Sequence, residues 1–100
     1  MNQDSIFDRP RPLFQLGQIV ATPGALKVLN DFDVDPTSLI RRHNGGDWGD
    51  VDEFDAHQNQ FAIRTKLRIL SSYPITDTVT VWIITEADRS ATTILLPEEC

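Results

Sequence analysis

KLRILSSYPITDTVTVWIITEADRSATTILLP, residues 66–97, is the stretch that decides the fold. It holds three strand-like runs, KLRILSSY, TVTVWIIT and ATTILLP. The first alternates with period two, and the second is rich in β-branched and aromatic residues. The links between them, PITD and EADRS, have the length of hairpin connections. Short links of this kind join antiparallel neighbours. The stretch therefore predicts an antiparallel meander of three strands, with TVTVWIIT as a central strand.

The residues before this meander predict one more strand and a helix. FQLGQIVAT alternates with period two, which places Ile19 and Ala21 on one face of a strand. Thr22 is a good N-cap, and Pro23 suits the first helical position. The spacing predicts a helix over about residues 23–31.

Two further helices are expected between that helix and the meander. Asp35 as N-cap and Pro36 at the first helical position repeat this pattern, so they predict the start of a second helix. That helix is expected to end before the glycines at 45–46. The third helix is expected to begin at Asp50 as N-cap, with Glu53 completing a capping box, and to end near Arg64. Val51, Phe54, Gln58 and Phe61 fall at helical spacing, with Ala62 beside them, and mark its predicted buried face.

The element order β-α-α-α-β-β-β predicts an α+β fold. We expect a four-stranded, mainly antiparallel sheet with about three helices on one face and the first strand at one edge. Residues 1–13 are expected to form a flexible N-terminal arm, and residues 14–100 a single α+β domain. An exposed sheet edge, with the last strand as the candidate, could pair two chains into a homodimer, although nothing in the sequence demands it.

The acidity of the chain is local. The net charge is −6, yet the residues outside 43–60 carry ten acids and nine bases, whose charges nearly cancel. Within those residues there is no Lys or Arg, and the five carboxylates are Asp47, Asp50, Asp52, Glu53 and Asp55. Binding to duplex DNA or to a membrane surface needs a basic face, so both are disfavoured. No apolar run reaches membrane-spanning length, and residues 1–14 lack a signal-peptide core, so a cytoplasmic protein is predicted.

No metal or cofactor site is predicted. DFDVDPTSLIRR begins like a calcium loop, but Pro36 stands where the turn needs Gly and Arg42 where calcium needs a carboxylate. His43 and His57 have no partner at zinc-binding spacing. We interpret His43 as a cation at a helix end, and His57 as an exposed helix residue.

No catalytic residue is predicted either. Asp52 and Asp55 share a helix face that points to water, whereas paired catalytic carboxylates converge in a cleft. The serines lack a nucleophile elbow. NGGDWG is rich in glycine but has no Lys to hold a phosphate. The only cysteine, Cys100, is the last residue.

Two surface features are the candidate protein-binding sites. In GGDWGD, Trp48 is either a plug buried against the helices or an exposed anchor inside a polar rim, as in binding hot spots. In ITEADRSATT, charged residues crowd a hairpin turn, which forms either a salt-bridged surface turn or a contact surface. The predicted protein-binding residues are Asp47, Trp48, Asp50, Asp52, Glu86, Asp88 and Arg89.

Four motifs carry a family resemblance: LGQIVATPGAL, RRHNGGDWGD, RILSSY and VWIITEADRSATTILLPEE. With them the chain resembles, over about residues 16–99, a family of small uncharacterised proteobacterial proteins often encoded near plasmid or other mobile-element genes. Some members carry a label linking them to type I restriction systems. Members usually end in an aromatic residue after LLPEE, where this chain has Cys100. The resemblance implies an accessory role on a mobile element and supplies no catalytic residues.

The predicted function is therefore that of a small acidic accessory or adaptor protein of a mobile element. It acts by protein–protein binding, without enzymatic activity, on a cytoplasmic partner with a basic surface. Two alternatives stay open. One is a partial DNA mimic that inhibits a host defence enzyme. The other is a RelE-like ribonuclease toxin, suggested by the element order, whose acid and phosphate contacts would come from Arg64, Lys66, Arg68, Tyr73 and Arg89.

Overall fold

The computed structural model describes residues 12–100, so residues 1–11 of the predicted arm lie outside the described part. The predicted element order β-α-α-α-β-β-β is confirmed. The chain ends in a short 3₁₀ turn, Pro97–Glu99. The elements are β1 (Gln18–Ala21), α1 (Pro23–Asp31), α2 (Pro36–Asn44), α3 (Glu53–Thr65), β2 (Ile69–Pro74), β3 (Thr80–Thr85) and β4 (Ala91–Leu95).

The four strands form one sheet in the order β1-β4-β3-β2. The meander is antiparallel as predicted, with β3 paired to both β2 and β4. β1 joins the edge, where it runs parallel to β4. The α+β prediction is therefore confirmed. The last strand is not an edge, because the long connection through three helices and two strands brings β1 alongside it. The prediction that the last strand supplies a dimer edge is wrong.

The first two helices begin where their caps predict. The Thr22 hydroxyl accepts the Ala25 N–H at 3.1 Å, and Pro23 opens α1. A carboxylate oxygen of Asp35 accepts the Thr37 N–H at 3.0 Å, and Pro36 opens α2. Each cap satisfies a backbone donor that has no partner within the helix.

The third helix begins later than predicted. Its N-cap is Asp52, whose carboxylate accepts the Asp55 N–H at 2.8 Å. Asp50 lies two residues before that cap, in the loop, where its own N–H donates to the Ser72 carbonyl on β2 at 2.6 Å. That bond holds Asp50 in the loop, so the capping box predicted with Glu53 is wrong.

One face of the sheet packs against the helices. Alternate residues of the strands point into this core, as the period of a strand requires. The main cluster joins them to side chains of α1 and α2, and consists of Ala25, Leu29, Leu39, Ile40, Tyr73, Val81, Ile83 and Ile94. A smaller cluster lies beside it and consists of Phe14, Trp48, Ala62 and Ile69.

Helix α3 buries a different face from the predicted one. Asn59 and Ala62 are its buried residues, whereas the side chains of Phe54 and Phe61 are 68% and 49% exposed. The Asn59 amide donates to the Leu70 carbonyl at 2.7 Å and accepts the Leu70 N–H at 3.1 Å. A side-chain amide thus pairs with the outer edge of β2. The small Ala62 lets the helix lie close to the strand, so the stripe containing the phenylalanines is left in solvent.

Replacing Asn59 with leucine is expected to lower the free energy of unfolding by about 2 kcal/mol, because the Leu70 N–H and carbonyl lose their partner. Gln60→Leu is the matched control, since Gln60 is its exposed neighbour on the same helix. Urea unfolding of the two variants measures the difference. Equal stability of the two would show that the Asn59 amide does not hold α3 to the strand.

No helix among residues 12–100 combines the length and the apolar character that crossing a membrane requires.

Candidate functional site

Trp48 lies inside the protein. Its side chain is 6% exposed. The ring stacks on Phe14 with centroids 6.3 Å apart, and meets the His43 ring edge-on at 6.1 Å. The interpretation of Trp48 as a buried plug is confirmed, and its interpretation as an exposed anchor is wrong. The GGDWGD loop closes over the smaller core cluster.

The loop around Trp48 is bonded to the outer edge of β2. The Ser72 N–H donates to the Trp48 carbonyl at 3.0 Å, and Gly49 forms a parallel bridge with Ser72. Gly49 has a φ of +73°, and a Cβ there would collide with the Ser72 carbonyl and the Tyr73 ring. Glycine is therefore required by both the backbone angle and the close approach. Its role is to let the loop extend the sheet.

The carboxylate of Asp47 is already paired. It receives two hydrogen bonds from Arg42, at 2.7 and 3.3 Å, and one from the Gly49 N–H at 3.1 Å. The bond from Arg42 holds the pKa of Asp47 below its ordinary value. Arg42 also lies over the Tyr73 ring, 4.5 Å from its centroid. Asp47 therefore fixes the loop conformation and contributes little unpaired charge toward a partner.

A chain of buried hydrogen bonds begins at His43 and fixes its tautomer. The Thr92 hydroxyl gives its one proton to the Leu16 carbonyl at 2.7 Å, so Thr85 donates to Thr92. The Thr85 oxygen then accepts from His43 Nε2 at 2.9 Å. In the neutral ring Nδ1 is left as the acceptor, and the Ser71 hydroxyl donates to it at 2.6 Å.

His43 is not the predicted helix-end cation. The side chain is fully buried, and burial lowers its pKa to about 4. The ring is neutral at pH 7 and links the end of α2 to three strands. Its contact with Ser71 resembles a catalytic Ser–His pair, but both side chains are shut off from solvent. This arrangement is suited to holding the fold together.

Arg89 also points into the protein. It has a φ of +61°, and its guanidinium donates to the carbonyls of Ala62 and Leu67, both at 2.7 Å. The bond to Ala62 satisfies the end of α3, where backbone carbonyls lack partners. At the same turn Glu86 meets Arg68 at 3.5 Å. The Arg89 guanidinium also donates to the carbonyls of Glu86 and Ala87, so all four of its hydrogen-bond partners are backbone carbonyls of the protein itself.

The remaining turn residue, Asp88, accepts the Ser90 N–H at 3.0 Å. Hydrogen bonds from Ser90 hold the pKa of Asp88 below its ordinary value. The turn is thus stabilised locally, and its predicted binding residues Glu86, Asp88 and Arg89 all contribute to it.

The residues suggested for a ribonuclease are not presented as a group. Tyr73 is fully buried, its hydroxyl donates to the Asp47 carbonyl at 2.7 Å, and burial raises its pKa to about 12. Arg68 pairs with Glu86, and Arg89 is bonded to carbonyls. Tyr73 is therefore not placed to give a proton to a substrate at the surface.

The exposed face of α3 is the feature that sequence reasoning missed. Phe54 and Phe61 are seven residues apart, so they lie about 10 Å apart along one side of the helix. We call these two side chains the α3 stripe. Leu67, also exposed, follows just beyond the helix end. Their periodicity alone could not reveal the exposure, because the same spacing is typical of a buried face.

Carboxylates that form no ion pair with residues 12–100 surround the start of this helix. The ion pairs among residues 12–100 are Lys27–Asp31, Arg42–Asp47 and Arg68–Glu86. None of them uses the four exposed acids that we call the acidic rim: Asp50, Asp52, Glu53 and Asp55. The α3 stripe and the acidic rim thus place two aromatic side chains beside negative charge. In the same described part of the chain, no three His, Cys, Asp or Glu residues are grouped as metal ligands.

Comparison with protein-family models, with curated proteins and with solved structures gave no match to this chain.

Proposed function

We propose that this chain is a small accessory or adaptor protein that binds another protein through the α3 stripe and the acidic rim. The observation that carries the proposal is the exposure of Phe54 and Phe61 on one side of α3. The partner we infer has an apolar groove flanked by Lys and Arg residues. The proposed role is binding rather than catalysis.

The apolar part of the surface supplies the affinity. Burial of apolar surface is the dominant favourable term in most protein–protein association. Large aromatic side chains inside a polar rim are typical of binding hot spots. Two anchors at positions i and i+7 also match the way in which a helix enters an apolar groove.

The acidic part supplies orientation and selectivity. The four carboxylates of the acidic rim cluster at the start of α3. Complementary charge accelerates association and disfavours partners of the same sign. A basic partner gains from this field, whereas nucleic acid is repelled by it. The proposed contact therefore moves from Trp48 and Asp47 to the start of α3, because Trp48 is buried and Asp47 is paired.

The biological setting in the proposal comes from the family resemblance of the motifs. We propose on that basis that the protein acts in the cytoplasm of a proteobacterium, as an accessory of a plasmid or another mobile element. The partner is then a basic protein of that element or of its host.

A pull-down with matched variants tests the proposal. Tagged protein is incubated with lysate of the encoding bacterium, with and without nuclease. Phe54→Ser/Phe61→Ser is expected to reduce capture of the partner about tenfold or more, because each anchor is worth about 2 kcal/mol. The control is Leu26→Ser/Phe32→Ser, which removes two comparably exposed apolar side chains elsewhere.

Two further results separate the proposal from its rivals. Glu53→Gln/Asp55→Asn is expected to slow association and to make it less sensitive to salt. Equal capture by the stripe variant and its control would contradict the proposal. Capture that disappears with nuclease would point to RNA instead.

A further inference from the structure

The two edges of the sheet differ in how far their backbone groups are covered by other parts of the protein. The outer edge of β2 is covered by the Trp48–Asp50 loop and by the Asn59 amide. The outer edge of β1 has no such cover from the described part of the chain. The side chains of Ile19 and Val20 there are 50% and 40% exposed.

The register of β1 shows which backbone groups face outward. The N–H groups of Gln18 and Thr22 donate to Ser90 and Ile94, both at 3.0 Å, so they point toward β4. Backbone groups alternate in direction along a strand. The N–H and C=O groups of Ile19 and Ala21 therefore point away from the sheet. Within residues 12–100 they make no hydrogen bond on that side.

This edge lacks the usual protection against pairing. Natural edge strands are guarded by charged side chains, prolines or bulges. Residues 12–26 carry no ionisable side chain, although the chain has a net charge of −6. An acidic partner is not repelled there, and a basic one finds no charge to pair with. Another uncharged strand is the matching surface, and a second copy of β1 is such a strand.

We propose that β1 pairs antiparallel with β1 of a second copy, which joins the two sheets into one. With the two-fold axis at Val20, Ile19 of each copy exchanges two hydrogen bonds with Ala21 of the other. The two Val20 side chains then face each other as a non-hydrogen-bonded pair. Because α3 lies beside β2 at the opposite edge, both α3 stripes stay free.

The first test is the mass in solution, measured by light scattering after gel filtration. Wild type is expected at twice 11.3 kDa. Ile19→Pro removes only an outward N–H, and Val20→Lys places two like charges across the axis, so both are expected at 11.3 kDa. Leu26→Lys is the exposed control and is expected to stay dimeric. Circular dichroism checks that each variant is folded.

The second test is a cross-link at the axis. In a Cys100→Ser background, Val20→Cys is expected to form a disulfide dimer on mild oxidation, because the facing Cα atoms lie within disulfide range. Leu26→Cys is expected to remain largely uncross-linked. A monomeric wild type, a dimer that survives both edge variants, or equal cross-linking of the two cysteines would overturn the proposal. None of these readouts involves the partner of the α3 stripe.

Discussion

Acidification from pH 7 to about pH 4 is expected to lower the free energy of unfolding by about 3 kcal/mol through His43 alone. The folded protein holds this side chain neutral, with its pKa lowered to about 4 by burial. In the unfolded chain a histidine titrates near 6.5. Between these two values the unfolded chain binds more protons, so stability falls as the pH falls. The stabilisation is complete above about pH 6.5 and is lost as the pH falls through about 4.

Urea unfolding at several pH values in this window tests the expectation. His57→Gln is the matched control, because His57 is the other histidine of the chain and is exposed. It is expected to keep the pH dependence of wild type. His43→Gln is expected to be less stable at pH 7, because the hydrogen bonds that join Ser71 to Thr85 through the imidazole are interrupted. It is also expected to lose most of the dependence of the free energy of unfolding on pH. A slope that survives in His43→Gln would contradict the role of His43.

Trp48→Ala is expected to lower the free energy of unfolding by about 3–4 kcal/mol. Truncating a buried aromatic side chain removes its transfer free energy and leaves a cavity. Here the cavity opens beside Phe14 and above the His43 network. Loss of the plug admits water to hydrogen bonds that are now shielded, so amide exchange of α2 and β2 is expected to accelerate as well.

Thermal and urea unfolding measure this effect, and Trp82→Ala is the control. Trp82 is the second tryptophan of the chain, and it is partly exposed on β3. A smaller loss is expected there. If Trp48→Ala kept wild-type stability and only weakened partner binding, Trp48 would have to be a contact residue, and the buried arrangement would be contradicted.

Local chemistry made the first two helices predictable. Thr22 with Pro23, and Asp35 with Pro36, each combine a side-chain acceptor with a residue that is preset for a first helical turn. The short hairpin links likewise made the antiparallel meander predictable, because they can join only neighbouring antiparallel strands. These features depend on neighbours in sequence, so the sequence alone was enough to place them.

The features that escaped prediction depend on distant residues. His43 is positioned by Ser71 and Thr85, which lie 28 and 42 residues further along the chain. Nothing near His43 distinguishes a buried histidine from a helix-end cation. The internal position of β4 similarly depends on its long-range pairing with β1.

The face of α3 was missed because two patterns compete on it. The stripe of Phe54 and Phe61 is the more apolar, but Asn59 and Ala62 fit the space beside a strand edge. The acids of the candidate site could be found from the sequence, because their cluster is visible there. The exposed aromatic side chains beside them could not.

Photo-crosslinking inside cells of the encoding bacterium tests the proposed binding surface most directly. A photoreactive phenylalanine is placed at Phe54 in one strain and, as the control, at the exposed Phe32 in another. We expect position 54 to capture a distinct protein with a basic surface and position 32 to capture none. No adduct at position 54, or the same adducts from both positions, would contradict the account.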